Sequence, residues 1–392
     1  MSARHSLLEL FDAGLRAVDG RACVARYLRG ADLPAPIAVF AVGKAASAMA
    51  LGARDVLAGR IVQLGVITKV GHSAPELYGD NIWQVESPHP VPDVRSLSHG
   101  EALETAVREL SPDVFPLFLV SGGSSSLVEA LRDGVSLEDL FALNVEGLAS
   151  GWDIATLNRK RAALSRIKGG GIARLLGERR ALALFVSDVP GDDPDVIGSG
   201  LLGRGGAADR VERRVVASVD TAVDAVVQAA TARGLGLETR AGRFDGAAAD
   251  VAQEFVAALR ATAANGLAWG GESTVKLPVK TGRGGRNTHL ALAAARLLKR
   301  GEALTILAAG TDGTDGPTDD AGAIIDAGTV ERAELAGCDV ARAFREFDSG
   351  LALELSEDLV HTGPTGTNVG DLLIGIKGSA TSLRGRESAH ML

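Results

Sequence analysis

The sequence predicts an α/β protein of two domains, and three observations carry that prediction. Short apolar runs alternate with helix-period stretches along most of the 392 residues. The runs are continuously apolar, as strands covered on both faces of a parallel sheet are. Glycine is abundant at 49 residues and aromatics are scarce at 4%, against 46% apolar overall. Small side chains and tight turns suit layers in which helices lie close on a sheet.

The elements follow in order. "MSARHSLLELFDAGLRAV" has helical spacing with acids among its apolar residues, which is not the pattern of a secretory leader. "IAVFAVG" (37–43) reads as a buried strand leading into the helix "KAASAMALGARDVL". Strands are expected at 61–70 and 81–87, a helix at "EALETAVREL", and a strand into a glycine loop at "FPLFLVSGG" (115–123). A mainly helical region covers 136–180, and "ALALFVSDVPGDD" (181–193) repeats the strand-to-loop pattern. From 205 to 234 the chain reads as one or two surface helices, and "LGLETRAGRFDGAAAD" as a domain junction. A helix (247–264), a strand pair around "GLAWGGESTVKLPV", a helix (287–299), a strand (303–310) and a Thr-Gly turn before a last strand complete the ordered part. The expected division is 1–235, 236–378 and a disordered tail at 379–392.

A net charge of −8 argues against a nucleic-acid partner, which would call for a basic stripe. No apolar run reaches membrane-spanning length. Cys23 and Cys338 build no disulfide framework, so a reduced, cytoplasmic setting is expected.

Open parallel sheets bind ligands beyond the carboxyl ends of their strands. Five Gly/polar segments occupy such places: "GKAAS", "SGGSSS", "SDVPGDD", "GGEST" and "GTDGTDGPTDD". Lys44, where strand gives way to helix, suits phosphate oxygens beside unpaired helix N–H groups, or is an exposed helix-start lysine. Gly122, Gly123, Ser124 and Ser125 offer amides and hydroxyls to phosphate, or form a capped turn. Asp188 and Asp192 suit Mg²⁺, which takes one or two carboxylates plus substrate phosphates, or a general-base role; the bland alternative is a solvated acidic turn. Asp312, Thr314 and Asp315 crowd another strand end, where clustered carboxylates need a cation or arginine nearby. "TGRGGRNTHL" (281–290) opens a helix, so Gly284, Gly285, Arg286 and Asn287 form a candidate anion clamp. Asn158, Arg161 and Lys168 make either a solvated basic face or an anion-facing wall. His89 in "SPHPVPD" reads as part of a Pro-flanked turn. A P-loop, a GxSxG elbow and a GxGxxG dinucleotide fingerprint are all missing.

Taken together, "AVGKAASAMA", "HPVPD", "LVSGGSSSLVE", "LNRKRAALSRIKGGGIA", "SDVPGDDPDVIGSG", "GGESTVKLPVKTGRGGRN", "AAGTDGTDGPTDDAGA" and "HTGPTGTNVGDL" resemble the class II glycerate 2-kinases, the family with DUF4147 and MOFRL regions. The resemblance spans roughly residues 5–378. It implies a Rossmann-like N-terminal domain, a smaller α/β C-terminal domain and a cleft between them. It also implies transfer of the ATP γ-phosphoryl group to the 2-hydroxyl of D-glycerate with Mg²⁺. The partner expected is a small-molecule hydroxy acid, with a homodimer open and neither nucleic acid nor membrane. On that reading Lys44 and Arg286 hold phosphate or carboxylate, Asp188 and Asp192 serve metal or base, and Asp312 and Asp315 line the cleft. Some members carry a hydroxypyruvate reductase label, which is the alternative. Two departures stand out: Thr288-His289 where the family has Gln-Glu, and "SGLL" (199–202) where it has "SGP".

Overall fold

The computed structural model describes residues 2–150, 152, 154–206, 209–277 and 281–378. The tail expected at 379–392 lies outside the described residues. Two compact units emerge: Val18–Ser218 with Gly366–Val369, and residues 2–17 with Val219–Thr365 and residues 370–378. This departs from the expected single boundary at 235/236. The first helix, Ala3–Ala17, packs on helix Val219–Thr231 so closely that a Cβ on Gly14 would sit 3.1 Å from Val226 and 3.2 Å from Leu372. Its apolar stripe therefore belongs to the second unit. Conversely, Gly20 donates its N–H to the carbonyl of Gly366, tying the 366–369 segment into the first unit.

The first unit is built on six parallel strands: β1 (Ile37–Val42), β2 (Ile61–Lys69), β3 (Ile82–Ser87), β4 (Phe115–Ser121), β5 (Ala181–Val186) and β6 (Val211–Ala217). Their order is β3-β2-β1-β4-β5-β6. The chain winds outward from β1 in one direction, then returns to β4 on the other side. The loops after β1 and β4 therefore leave the sheet side by side, which is the ligand-binding switch point of a doubly wound sheet. Register keeps the tips level, with Val42 opposite Val120 and Ser121 opposite Val186.

β6 corrects the reading of 205–234 as helix. An edge strand has only one neighbour, so "VERRVVA" carries Glu212, Arg213 and Arg214 among its apolar residues and imitates an amphipathic helix. The helix begins only at Val219.

The second unit holds β7 (Leu237–Thr239), β8 (Gly266–Gly271), β9 (Leu304–Gly310), β10 (Gly322–Asp326), β11 (Leu359–Val360) and β12 (Asp371–Lys377), ordered β11-β10-β9-β12-β8-β7. Among the described residues only β7 and β8 pair in parallel; the other pairings are antiparallel. Its strands read like parallel ones because helices cover both faces. Leu372 meets the first helix at Gly14, whereas Gly375 lies against Leu259 and Phe255 of helix Ala248–Ala261, and an odd spacing along a strand means opposite faces. The expected strand pair around 266–279 reduces, among the described residues, to β8 and a single bridge between Ala247 and Thr274. The supposed junction at 235–250 holds β7 and runs beside β8, so it lies within the sheet rather than between domains. No helix among the described residues is long and apolar enough to cross a membrane.

Candidate active site

In the first unit the strand tips interlock. Lys44 N–H donates to the carbonyl of Gly122 at 3.0 Å, and Ala45 N–H to Ser121 Oγ at 3.0 Å. Gly43, at φ +133°, has no room for a side chain, because a Cβ would lie 2.1 Å from Ser121 Oγ. A Cβ on Gly123 would stand 3.1 Å from both Lys44 Cγ and His89 Cδ2. From the end of β5, Asp188 Oδ2 accepts a hydrogen bond from Asn368 Nδ2 at 2.9 Å. A Cβ on Gly122 would fall 1.9 Å from that oxygen and 2.0 Å from that nitrogen. Lys44, Gly122, Gly123 and Asp188 are thus brought together, with His89 and Asn368 added to them. Ser125 Oγ lies 2.6 Å from Ser199 Oγ, which donates to Asn158 Oδ1 at 3.2 Å. Ser124 is fully buried, and its Oγ makes no hydrogen bond among the described residues.

Lys168 departs from expectation. It is buried, donating to Glu129 Oε2 at 2.5 Å and to the carbonyl of Ser125 at 2.7 Å. Burial lowers its pKa, against the pull of the Glu129 carboxylate. It holds the serine loop through the Ser125 carbonyl, and the anion it faces is the chain's own Glu129. Arg161, on helix Ile154–Leu164, is half-buried, and its Nε donates to Asn144. Burial lowers its pKa as well.

Asp192 follows Asp188 in the same loop, at φ +52°. The donors offered here are hard carboxylate oxygens. Among the described residues no group of three or more ligating side chains could hold a metal ion by itself. As donors, Asp188 and Asp192 are of the type that suits an ion such as Mg²⁺, which completes its shell with phosphate and water, and they do not make an all-protein cage.

In the second unit, helix Arg286–Leu297 starts where β8 and β9 end and β12 begins. Its N-terminus is already filled. Asp315 Oδ1 accepts from Asn287 N–H at 2.9 Å, and Asp315 Oδ2 accepts from Thr288 N–H at 2.7 Å and from Thr288 Oγ1 at 2.8 Å. The expectation that amides of 284–287 face a phosphate or the glycerate carboxylate is corrected accordingly for Asn287: the chain supplies its own anion, as helix termini favour. Gly285 is glycine because a Cβ would lie 2.4 Å from the Asp315 backbone. The N–H of Gly285 goes to Thr288 Oγ1 at 2.8 Å. Gly284, at φ +145°, packs near Gly350. Burial raises the pKa of Asp315, partly offset by its bonds to Thr288 and Asn287. Asp312 Oδ1 takes both the N–H and the hydroxyl of Thr314, at 3.0 and 3.2 Å, so Thr314 spends its donors within its own turn.

Arg286 keeps its fork. Its guanidinium pairs with Glu272 and approaches Asp371 Oδ2 at 3.4 Å. Burial opposes its charge, but Asp371 and Glu272 outweigh this and hold its pKa above the ordinary value. Asp371 opens β12, is 2% exposed, and accepts from Asn287 Nδ2 at 3.0 Å. Burial pushes its pKa up to about 6 despite Arg286. The residue was missed in the sequence, where one aspartate before an apolar strand carries no signal. Asn368 was missed for the same reason.

Both departures from the family pattern are structural. Thr288 closes the helix start on Asp315, and His289 lies buried between the rings of Phe344 and Phe347, at 4.4 and 4.2 Å. Leu201 and Leu202 are buried in the core of the first unit.

Fold and strand tips define a doubly wound α/β protein with its candidate ligand groups at the carboxyl ends of the parallel strands, joined to a second α/β unit that carries an arginine–carboxylate cluster. The domain of unknown function DUF4147 matches residues 6–230, and the MOFRL family matches residues 266–371. The chain belongs to this DUF4147–MOFRL family, the class II glycerate kinases. It is 35% identical to the D-glycerate 2-kinase of Thermotoga maritima, over 96% of this chain and 98% of that one. An Agrobacterium vitis protein provisionally named hydroxypyruvate reductase is also 35% identical, over 85% of this chain and 97% of its own length. The crystal structure of a Thermotoga maritima glycerate kinase superposes with a TM-score of 0.84 at 33% identity, covering 95% of this chain and 99% of that chain.

Proposed function

We propose that the chain is an ATP-dependent glycerate 2-kinase, moving the γ-phosphoryl group of ATP to the 2-hydroxyl of D-glycerate and releasing ADP and 2-phosphoglycerate. The observation that carries this reading is the end-to-end match to a D-glycerate 2-kinase. The two clusters are consistent with it. Phosphoryl transfer asks chiefly for positioning and charge stabilisation, and neither needs a covalent nucleophile. Lys44 offers a point charge, and Gly122 to Ser125 offer a glycine-hydroxyl loop at the same tip. Arg286 offers a planar fork to a carboxylate or phosphate. Mg²⁺, when bound, would offset charge on the phosphate oxygens, with Asp188 and Asp192 to hold it. The reaction would take place in the cytoplasm.

The reductase reading has the Agrobacterium vitis name in its favour. Against it stands the first strand-to-helix turn, which a dinucleotide-binding sheet fills with GxGxxG. Here that turn reads Gly43-Lys44-Ala45-Ala46, and β2 ends in Lys69 instead of a ribose-binding acid. One assay separates the readings: ADP release with ATP and D-glycerate, in parallel with NAD(P)H consumption on hydroxypyruvate. Coupling the product to enolase distinguishes 2- from 3-phosphoglycerate. Glycerate-dependent ADP release that collapses in Lys44→Ala and Arg286→Ala, with folding preserved, is the expected result. Hydroxypyruvate-dependent NAD(P)H oxidation without ADP release would reject the kinase.

A further inference from the structure

We infer that Asp371 takes the proton from the acceptor's 2-hydroxyl, with Arg286 gripping the adjacent carboxylate and Asn287 aiming the Asp371 side chain. This rests on the kinase reading above and deepens it. Asp371 pairs in register with Gly271 at the end of β8 and with Gly310 at the end of β9, so its carboxylate stands where three strand termini meet. Asn287 Nδ2 holds one oxygen, Oδ1. The other oxygen, Oδ2, makes no hydrogen bond among the described residues, and neither does Asn287 Oδ1, although both are buried.

Among the described residues Asn287 Oδ1 therefore has no donor, and Asp371 Oδ2 has only the Arg286 guanidinium, at 3.4 Å and outside hydrogen-bond geometry. Buried acceptors are rarely left so, and what satisfies them is an O–H or N–H. Their neighbour Asp315 is different, with both oxygens engaged by the start of the helix. A hydroxyl brought next to Asp371 would supply the hydrogen bond that Arg286, at 3.4 Å, does not complete. A 2-hydroxy acid brings a hydroxyl on the carbon beside its carboxylate. Arg286 lies within reach of both Asp371 and the half-exposed Glu272. An incoming carboxylate competes with Glu272 for the guanidinium, which brings the neighbouring hydroxyl against Asp371. The same geometry selects the 2-hydroxyl over the 3-hydroxyl, which is one carbon further from the carboxylate.

The charge environment suits the task. Burial raises the Asp371 pKa to about 6, Arg286 and Asn287 pull it down, and Glu272 and Asp315 push it up. Asp312 lies nearby in the loop after β9, within contact range of Gly310 as Asn287 is. A base whose pKa lies near the working pH is ionised and still holds a proton well. In the step itself, the hydroxyl proton passes to Asp371 Oδ2 as the hydroxyl oxygen bonds to the γ-phosphorus. The bond from that phosphorus to the β,γ-bridging oxygen breaks, its electron pair leaving with ADP. Asp371 then returns the proton to water.

The test compares the wild type with Asp371→Asn and Asp371→Glu. It measures kcat and kcat/KM for D-glycerate at saturating ATP from about pH 5 to 9, with circular dichroism and binding of a non-hydrolysable ATP analogue as checks on the fold. The wild-type kcat/KM should fall tenfold per pH unit below about pH 6. Asp371→Asn should lose ~100-fold in kcat, and its remaining activity should lack that acid limb. Asp371→Glu should recover part of the rate together with the limb. The inference is overturned by a wild-type profile flat through pH 6, by Asp371→Asn turning over within about threefold of wild type, or by an acid limb that survives in Asp371→Asn. Should Asp371→Asn not fold, the wild-type profile and Asp371→Glu still decide. A wild type without glycerate-dependent ADP release sinks the kinase reading and this inference with it, an outcome distinct from an active enzyme indifferent to residue 371.

Discussion

Replacing Gly122 with alanine puts one methyl group into the bond that holds Asp188. The added Cβ would lie 1.9 Å from Asp188 Oδ2, 2.0 Å from Asn368 Nδ2 and 2.5 Å from Asp188 Cγ. An ordinary contact is ~3.5 Å, so something must move by about 1.5 Å. Gly122 is not among the glycines with a left-handed φ, so the backbone accepts alanine and the cost is steric. Losing a hydrogen bond to a charged group costs ~1.5–3 kcal/mol, and overpacking adds ~1–3 kcal/mol. For a unit of about 200 residues, each kcal/mol lowers Tm by ~2–4 °C, so a fall of roughly 5–24 °C is expected. Turnover should fall on the order of 100-fold, because Asp188 is displaced by more than 1 Å. Gly59→Ala is the control, since nothing among the described residues lies within 4 Å of its would-be Cβ. Scanning calorimetry and the glycerate-dependent ADP assay supply the two readouts. If Gly122→Ala melts within about 1 °C of wild type and turns over within about twofold, the tip of β5 is not packed as described and Asp188 has no part in turnover.

Other perturbations follow from the same coordinates. Lys168→Met leaves Glu129 charged and fully buried, and should cost ~3–5 kcal/mol, whereas Lys168→Met with Glu129→Leu should recover most of it; equal losses in urea titrations of the single and double variants would contradict a buried ion pair. His289 has its pKa lowered from 6.5 to about 4, by burial first and Arg296 second. Below pH 6.5 the unfolded chain therefore binds a proton that the folded chain does not. Stability should be level above that pH and fall by ~1.4 kcal/mol per unit down to about pH 4; His289→Leu should flatten this limb, and an unchanged limb in that variant would assign it elsewhere. Asp315→Ala strips the N–H groups of Asn287 and Thr288 of their acceptor, costing ~1–2 kcal/mol. Phosphate should then raise the variant's Tm more than the wild type's, and equal shifts would show that no anion site had been opened.

The parallel sheet was legible because continuous apolar runs ending in glycine are what such strands require. β6 was not, because an edge strand trades apolar for charged residues. The mixed sheet of the second unit reads as parallel in sequence, since burial on both faces produces the same composition whichever way the strands run. The first helix looks like the start of the N-terminal domain, and its contacts, through Gly14 with Val226 and Leu372 and through Arg4 with Asp358, place it in the other unit. Adjacency in sequence is a poor guide where a helix can reach back across a whole unit.

The two glycine-rich helix starts show why sites are harder to read than folds. "SGGSSS" and "GRGGRN" carry the same local signal of glycines before a helix. At Ser121–Ser125 the glycines make room for other side chains: Gly122 for Asp188 and Asn368, and Gly123 for Lys44 and His89. At Gly285 the room is taken by Asp315, 30 residues downstream, whose carboxylate is the anion that the helix N-terminus attracts. Nothing within either motif distinguishes these outcomes, because the deciding atom comes from another loop. Filling the helix start has a chemical consequence. With the Asn287 and Thr288 amides committed, anion recognition in this unit would, on the proposed reading, fall to the Arg286 side chain, which Glu272 and Asp371 hold. A fork held between carboxylates can exchange one of them for a ligand, whereas an amide bonded to its own chain's buried aspartate has nothing to exchange.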